Sequence, residues 1–237
     1  EELHIYLTGD LINGMLGAMH DELIMTQSSD LMETVYGAAY VIVQLVALAK
    51  QLFRKVVICA APGNHGRMTK KPMHKAPNMN WDMIIPQIAS TFFFGDSSVV
   101  WNIPNSFFFI DQIYGETILG LHGHQVKGWA SIPWYGINKT VGNLAHAMDH
   151  QKLKALREEV KANDGVIDLT DLNNLRINHV VMGHFHQEAV FERIGGHVLA
   201  CGCMKGPDEF SLGSGFSPSP ASQIMFGVHE TQGITHR

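Results

Sequence analysis

The stretch VVMGHFH, residues 180–186, decides the fold. The apolar run from Asn178 to Met182 has the length and composition of a buried strand. A glycine breaks the strand, and two histidines, His184 and His186, follow it. Imidazoles two positions apart beyond a strand end can be aimed at one point or at two neighbouring points. The stretch therefore predicts a strand that ends at a metal site.

Three other stretches have the same form, an apolar run that ends in polar residues. The first ends at Asp10, the second at Asn64 and His65, and the third at His122 and His124. In α/β folds the ligand crevice lies at the carboxyl ends of the strands. Four strand ends that carry Asp, Asn and His therefore predict one metal site at which they converge.

Composition narrows the class of protein. The 237 residues are 46% hydrophobic, which suits a single α/β domain over residues 1–237 with a large core, or at most two small domains. The net charge of −5 predicts no general affinity for nucleic acid. Three cysteines are an odd count, so we expect a reducing, cytoplasmic compartment and no disulfide framework. The longest apolar stretch, residues 35–52, contains Gln44, Lys50 and Gln51, and we expect a buried helix and no membrane span.

Apolar periodicity and turn residues predict the order of elements. Strands are expected at residues 3–8, 55–60, 99–102, 106–113, 116–121, 178–182 and 223–228, with a hairpin over 188–201. Helices are expected at about 31–53, at 81–94 and at 143–162, with a loop over 125–142. Strand and helix alternate first and strands cluster later, which implies more than one sheet.

The four blocks together resemble the calcineurin-like metallophosphoesterase superfamily. They are Gly9-Asp10, Gly63-Asn64-His65, His122-Gly123-His124 and Gly183-His184-Phe185-His186. That family has five blocks, and four of them stand here in order at predicted strand ends. Residues 63–72 and 204–210 resemble a branch common in phages and bacteria. The resemblance implies a four-layer αββα sandwich of two mixed β-sheets flanked by helices.

The resemblance also implies a role for each polar residue in these blocks. Asp10 would bridge two divalent ions, and His65 would be the catalytic histidine. Imidazole ligands favour transition metals, so we expect manganese, with zinc, iron or nickel as alternatives. The implied metal ligands are Asp10, Asn64, His122, His184 and His186.

A basic loop follows His65. Residues 62–77 contain Arg67, Lys70 and Lys71 and no acid. Guanidinium and ammonium groups bind phosphate, so we predict that these three side chains contact the substrate. The alternative is a solvated surface loop. His124 is predicted either to face the substrate or to support the metal ligands.

The first block of the family, Asp-x-His, is absent from the 237 residues. We expect it on a strand upstream of Glu1. The alternative is a degenerate member of the family in which one metal position is impaired.

These observations predict a two-metal phosphoesterase that hydrolyses phosphodiester bonds of nucleic acid or nucleotides by attack of a metal-activated hydroxide. One alternative is a phosphomonoesterase that acts on phosphoprotein or small phosphate esters. Another is a binding module that keeps the fold without catalysis. The expected partner is a phosphate ester, with no membrane partner, and the sequence leaves the oligomeric state open.

Overall fold

The computed structural model describes residues 1–14, 30–69, 71, 77–126, 133–162, 176–193, 195–207, 212–213 and 218–236. The chain divides into two compact units, each built from several segments. The first unit comprises residues 1–111, 120–124 and 181–184. The second unit comprises residues 112–119, 125–180 and 185–237.

Three parallel strands form the first sheet, in the order β1-β2-β3. They are β1 (Glu2–Leu7), β2 (Lys55–Ala60) and β3 (Val99–Asn102). The central strand β2 is buried from its second residue onward, as expected for a parallel strand covered on both faces. The register sets Leu7 opposite Ala60. The carboxyl ends of β1 and β2 therefore lie side by side.

Two helices pack with this sheet in the first unit, α1 (Leu31–Leu52) and α2 (Trp81–Thr91). The N-cap of α1 is Asp30, whose carboxylate accepts the backbone N–H of Glu33 at 2.8 Å. The N-cap of α2 is Asn80, whose side-chain oxygen accepts the backbone N–H of Asp82 at 2.9 Å. Both caps satisfy donors that have no partner within the helix.

The prediction that α1 is a buried helix is wrong for one of its faces. One stripe of the helix enters the core, at Val35, Ala39, Ile42, Val46 and Ala49. The apolar side chains on the opposite face are between 43% and 72% exposed, namely Tyr36, Tyr40, Val41, Leu45, Leu48 and Leu52. A helix that packs on one sheet buries one stripe, whatever the composition of its other face. By length and composition alone, α1 is long and apolar enough to cross a membrane. Core helices of soluble proteins share these properties.

The second sheet has five strands, in the order β4-β5-β6-β8-β7. Their bounds are β4 (Phe108–Ile113), β5 (Glu116–Leu121), β6 (His179–Met182), β7 (Ala189–Arg193) and β8 (Gly196–Ala200). The predicted hairpin is confirmed, since β7 and β8 pair antiparallel with Arg193 opposite Gly196. The class is also confirmed as a mixed α/β fold with two main sheets flanked by helices.

Two sequence-based boundaries are wrong. Residues 134–142 were expected in a loop, but they belong to α3 (Trp134–Ala162). Pro133 precedes this helix, and its carbonyl accepts the backbone N–H of Ile137 at 2.9 Å. Proline is favoured at helix starts because its φ is already helical and its missing N–H has no partner to lose. The expected last strand is replaced by a small antiparallel pair, β9 (Gly227–His229) and β10 (Gly233–His236).

Candidate metal centre

The first unit contains a cluster of metal-ligating side chains that follow four strands. Asp10 follows β1, Asn64 follows β2, His122 follows β5 and His184 follows β6. Ligand atoms of Asp10, His122 and His184 all lie within 4.8 Å of one another. The Asn64 Oδ1 atom lies 2.9 Å from His122 Nε2. The structure thus brings together four of the five predicted ligands at a candidate site for a divalent metal ion.

The hydrogen bonding of His122 determines what this cluster can bind. Its Nδ1 lies 2.7 Å from the Thr8 carbonyl oxygen, so Nδ1 carries a hydrogen and donates it. A neutral ring then has a lone pair on Nε2. That atom lies 2.9 Å from both Asp10 Oδ2 and Asn64 Oδ1, which are acceptors as well. Three acceptor atoms this close repel one another unless a proton or a cation lies among them.

The pKa shifts of His122 and Asp10 also indicate that the cluster favours a positive charge. Burial opposes a charge on His122, but the attraction of the Asp10 carboxylate outweighs it and raises the pKa of His122. Burial also opposes ionisation of Asp10, but His122 and His65 together lower the pKa of Asp10. A divalent cation would take the place of the shared proton. Carboxylate oxygen, amide oxygen and imidazole nitrogen fit a transition metal such as Zn²⁺ or Mn²⁺.

The loops that carry Asp10 and Asn64 touch through their backbones. Gly9 has a φ of +90°, and a Cβ on it would lie 2.3 Å from the Gly63 nitrogen. A Cβ on Gly63 would lie 2.1 Å from Asp10 Oδ1. Asp10 itself has a φ of +54°, a left-handed conformation that costs a non-glycine residue about 1–3 kcal/mol. Both glycines are therefore required where the two loops meet.

His65 lies at the edge of the cluster, outside the group of metal ligands. Its backbone N–H donates to Asp10 Oδ1 at 2.8 Å. Its ring Nδ1 lies 3.3 Å from the Asn13 carbonyl oxygen, and its Nε2 lies 4.0 Å from Asp10 Oδ2. The side chain is 17% exposed. His65 is therefore tethered to the chain after Asp10 and reaches the surface of the site.

His124 lies beside the two histidine ligands. Its ring centroid is 5.5 Å from that of His122 and 6.3 Å from that of His184. Among the described residues, the buried Nδ1 of His124 has no hydrogen-bond partner. Burial, with the neighbouring His122 and His184, lowers the pKa of His124 to about 3. The ring is therefore neutral at physiological pH and can offer a lone pair or a single N–H.

The remaining predicted site residues differ in how close they lie to the cluster. The Arg67 Nε donates to the Asn64 carbonyl oxygen at 3.0 Å, so its guanidinium adjoins the ligand loop. Burial lowers the pKa of Arg67, and the charge of Asp10 opposes that shift. Lys71 is exposed, and Lys70 lies outside the described residues. His186 belongs to the second unit, and its role as a ligand stays a prediction.

Asp82 was not among the predicted site residues. Its carboxylate is 1% exposed and accepts the backbone N–H groups of Asp10, Leu11 and Gly63, each at 2.9 Å. Burial first, and then the charge of Asp10, raise the pKa of Asp82 to about 6. The sequence carries one signal for it, an acid in the first turn of a predicted helix. That position favours aspartate for electrostatic reasons alone, so it did not indicate a site.

Comparison with models of protein families finds no match, and comparison with curated proteins finds none either. Among solved structures, a double mutant of Vps29 from Entamoeba histolytica aligns with 97% of this chain and 71% of its own, at 14% identity and a TM-score of 0.37. Wild-type Vps29 from the same organism, complexed with zinc, covers 86% of this chain and 75% of its own, at 14% identity and a TM-score of 0.33. Vacuolar Protein Sorting 29 from Cryptosporidium parvum covers 86% and 75%, at 17% identity and a TM-score of 0.29. Likenesses of this degree assign no function to the chain.

Proposed function

We propose that this protein is a metal-dependent phosphoesterase that hydrolyses phosphodiester bonds. The observation that carries the proposal is the convergence of three acceptor atoms, on Asp10, Asn64 and His122, around a place that demands positive charge. His184 adds a second imidazole to the same point. These four residues belong to the four sequence blocks that resemble the metallophosphoesterase superfamily.

A divalent ion bound here would polarise a phosphate ester and lower the pKa of a water molecule. The protein residues have separate tasks in this arrangement. Asp10 supplies the negative charge that holds the cation. The Thr8 carbonyl accepts the Nδ1–H of His122 and so orients the ring with Nε2 towards Asp10. Residues that hydrogen-bond a metal-ligating histidine commonly orient its ring in this way. Because binding displaces the proton shared by Asp10 and His122, metal affinity should rise with pH.

His65 is placed to act on the leaving group. The contact between its Nδ1 and the Asn13 carbonyl orients the ring so that Nε2 faces the cluster. At 4.0 Å from Asp10 Oδ2, that nitrogen is outside hydrogen-bond distance of the carboxylate. Because Nδ1 carries the hydrogen that faces the Asn13 carbonyl, the doubly protonated ring would have an Nε2–H to donate to a leaving oxygen at the cluster. A positioned acid of this kind contributes roughly 100- to 10,000-fold to the rate.

The proposal takes a phosphate diester, and not a monoester, as the substrate. A phosphate monoester carries close to two negative charges at pH 7, whereas a diester carries one. The described residues next to the ligands supply one permanent cation, Arg67, against the two carboxyl groups of Asp10 and Asp82. The proposed substrates are nucleic acid or nucleotides, with Arg67, Lys70, Lys71 and His124 as substrate contacts.

The proposal includes two transition-metal ions, manganese first, and a cytoplasmic location. Cys59, Cys201 and Cys203 are all free thiols, which supports a reducing compartment. Among the described residues, one group of Asp and His side chains can hold a metal. That observation favours a second candidate function, a binding module that uses one ion without hydrolysis.

A reconstitution experiment separates these functions. Protein stripped with a chelator is loaded with Mn²⁺, Zn²⁺, Fe²⁺ or Ni²⁺ and assayed on bis-p-nitrophenyl phosphate and on p-nitrophenyl phosphate. The proposed enzyme hydrolyses the diester faster, and only when metal is bound. A binding module takes up metal and hydrolyses neither ester. Protein that takes up no metal in this assay would contradict both functions.

A further inference from the structure

We infer that Asp82 is a positioning residue, whose buried carboxylate sets the spacing between the two loops that carry Asp10 and Asn64. Its functional meaning rests on the proposed metal site. The structural part of the inference concerns the protein without metal and can be tested there.

The contacts of Asp82 join two loops that are far apart in sequence. Its Oδ2 accepts the backbone N–H of Asp10 and that of Gly63, each at 2.9 Å. Its Oδ1 accepts the backbone N–H of Leu11, also at 2.9 Å. One buried side chain therefore binds the loop after β1 and the loop after β2 at the same time.

These hydrogen bonds hold an unfavourable backbone conformation. Asp10 has a φ of +54°, and such conformations persist in non-glycine residues where the surrounding structure holds them. Asp82 binds the N–H of Asp10 and the N–H of the next residue, so it holds the peptide groups on both sides of this turn. The turn directs Asp10 Oδ1 to the His65 N–H and Oδ2 to His122 Nε2. Asp82 thus determines where the ligand carboxylate points.

Asn80 completes the contact with the second loop. Its Nδ2 donates to the Gly63 carbonyl oxygen at 2.9 Å, and its Oδ1 accepts the N–H of Asp82. The backbone N–H of Trp81 donates to the Gly66 carbonyl oxygen at 2.7 Å. The start of α2 therefore holds both ends of the segment 63–66. A Cβ on Gly66 would lie 2.2 Å from Asn80 Oδ1, so this approach requires a glycine.

The charge and the acceptor count of Asp82 both matter. All three groups that face it are donors, and a carboxylate in the first turn of a helix is stabilised by the helix N-terminus. Asparagine has the same shape but replaces one acceptor oxygen with an NH₂ group. In Asp82→Asn, that group must therefore face a backbone N–H of one of the loops. We expect the loop that loses its acceptor to move away from the other.

The test compares Asp82→Asn with the wild-type protein. In metal-free protein, we expect amide hydrogen exchange at Asp10, Leu11 and Gly63 to accelerate on the order of tenfold, while amides in the middle of β2 stay protected. Affinity for Zn²⁺ and Mn²⁺, measured by calorimetric titration, should fall about 10- to 100-fold. Unchanged exchange at the three amides would overturn the inference.

A matched control distinguishes positioning from a general loss of stability. Asp111 is another buried carboxylate of the first unit, 9% exposed, which accepts the Tyr6 hydroxyl at 2.8 Å and lies 2.6 Å from His4 Nδ1. We expect Asp111→Asn to lower thermal stability without changing metal affinity or exchange at the three amides. If both variants weaken metal binding equally, Asp82 is merely structural and the inference is wrong.

A second variant covers the case in which Asp82→Asn does not fold. Asn80→Ser keeps a favoured N-cap residue but removes the donor to the Gly63 carbonyl. We expect faster exchange in the segment 63–66 and a smaller loss of metal affinity, and no change in either would contradict the inference. Failure of the proposed metal site has a different signature. Wild-type protein would then bind no metal, while the accelerated exchange in the variants would still support the positioning role.

Discussion

Replacing Asp10 by asparagine should remove metal binding without destabilising the metal-free protein. The carboxylate Oδ2 lies 2.9 Å from His122 Nε2, and the two groups need a shared proton or a cation between them. An amide at the same place can donate its own N–H to Nε2 and still accept the His65 N–H through its oxygen. Asparagine is also better tolerated than most residues at the φ of +54° that Asp10 adopts.

The expected size of the effect follows from ligand linkage. A metal present at 100 times its dissociation constant stabilises the folded protein by about 2.7 kcal/mol. For a chain of this size, about 1 kcal/mol shifts Tm by roughly 2–4 °C, so wild-type protein should gain about 5–11 °C. Loss of the bridging carboxylate should weaken metal affinity at least about 100-fold. That is the upper end of the loss in affinity caused by removing a residue that hydrogen-bonds a metal ligand. The variant should then gain about 1 °C at the same metal concentration.

Scanning calorimetry with and without Zn²⁺ or Mn²⁺ measures both quantities. Metal-free Asp10→Asn should melt within a few degrees of metal-free wild type. A shift on adding metal that equals the wild-type shift would refute the assignment of Asp10 as a ligand. A variant that melts far lower without metal would show instead that the Asp10–His122 ion pair stabilises the fold.

Three further predictions concern single side chains. His65→Ala should lower the turnover of nucleoside esters roughly 100- to 10,000-fold while metal stays bound. The loss should be smaller for nitrophenyl esters, because their leaving group needs no proton. Equal losses on both esters would exclude an acid role. The folded pKa of His124, about 3, lies below the unfolded value of about 6.5, so its contribution to stability is complete above pH 6.5 and falls as the pH drops towards 3. His124→Gln should flatten that part of the stability profile of metal-free protein, and an unchanged slope would contradict the shift. Cys59 is fully buried, and burial raises the pKa of its thiol, so it should react with a thiol reagent far more slowly than Cys203 in the folded protein; equal labelling rates would show that the β2 core opens.

Much of the local structure is predictable from local patterns. The bounds of β2 at Lys55–Ala60 and of β5 at Glu116–Leu121 agree with the sequence prediction, because short apolar runs end at turn residues there. The start of α1 agrees because Asp30 is a strong N-cap. The exposed face of α1 was not predictable. Its composition is apolar on all sides, and burial depends on which surfaces pack against it.

The sequence by itself determined which ligand atoms follow which strands, since Asp10, Asn64, His122 and His184 stand directly after apolar runs. The tertiary structure alone decided that Asp10 Oδ2 and Asn64 Oδ1 each lie 2.9 Å from His122 Nε2, where a proton or a cation is needed. It also decided the part of Asp82, whose partners are backbone N–H groups that any residue except proline would supply. The position at which a strand ends depends on neighbouring residues in the sequence, where an apolar run gives way to turn residues. Distances between loops depend on backbone contacts made across the fold, which leave little trace in the identity of a residue.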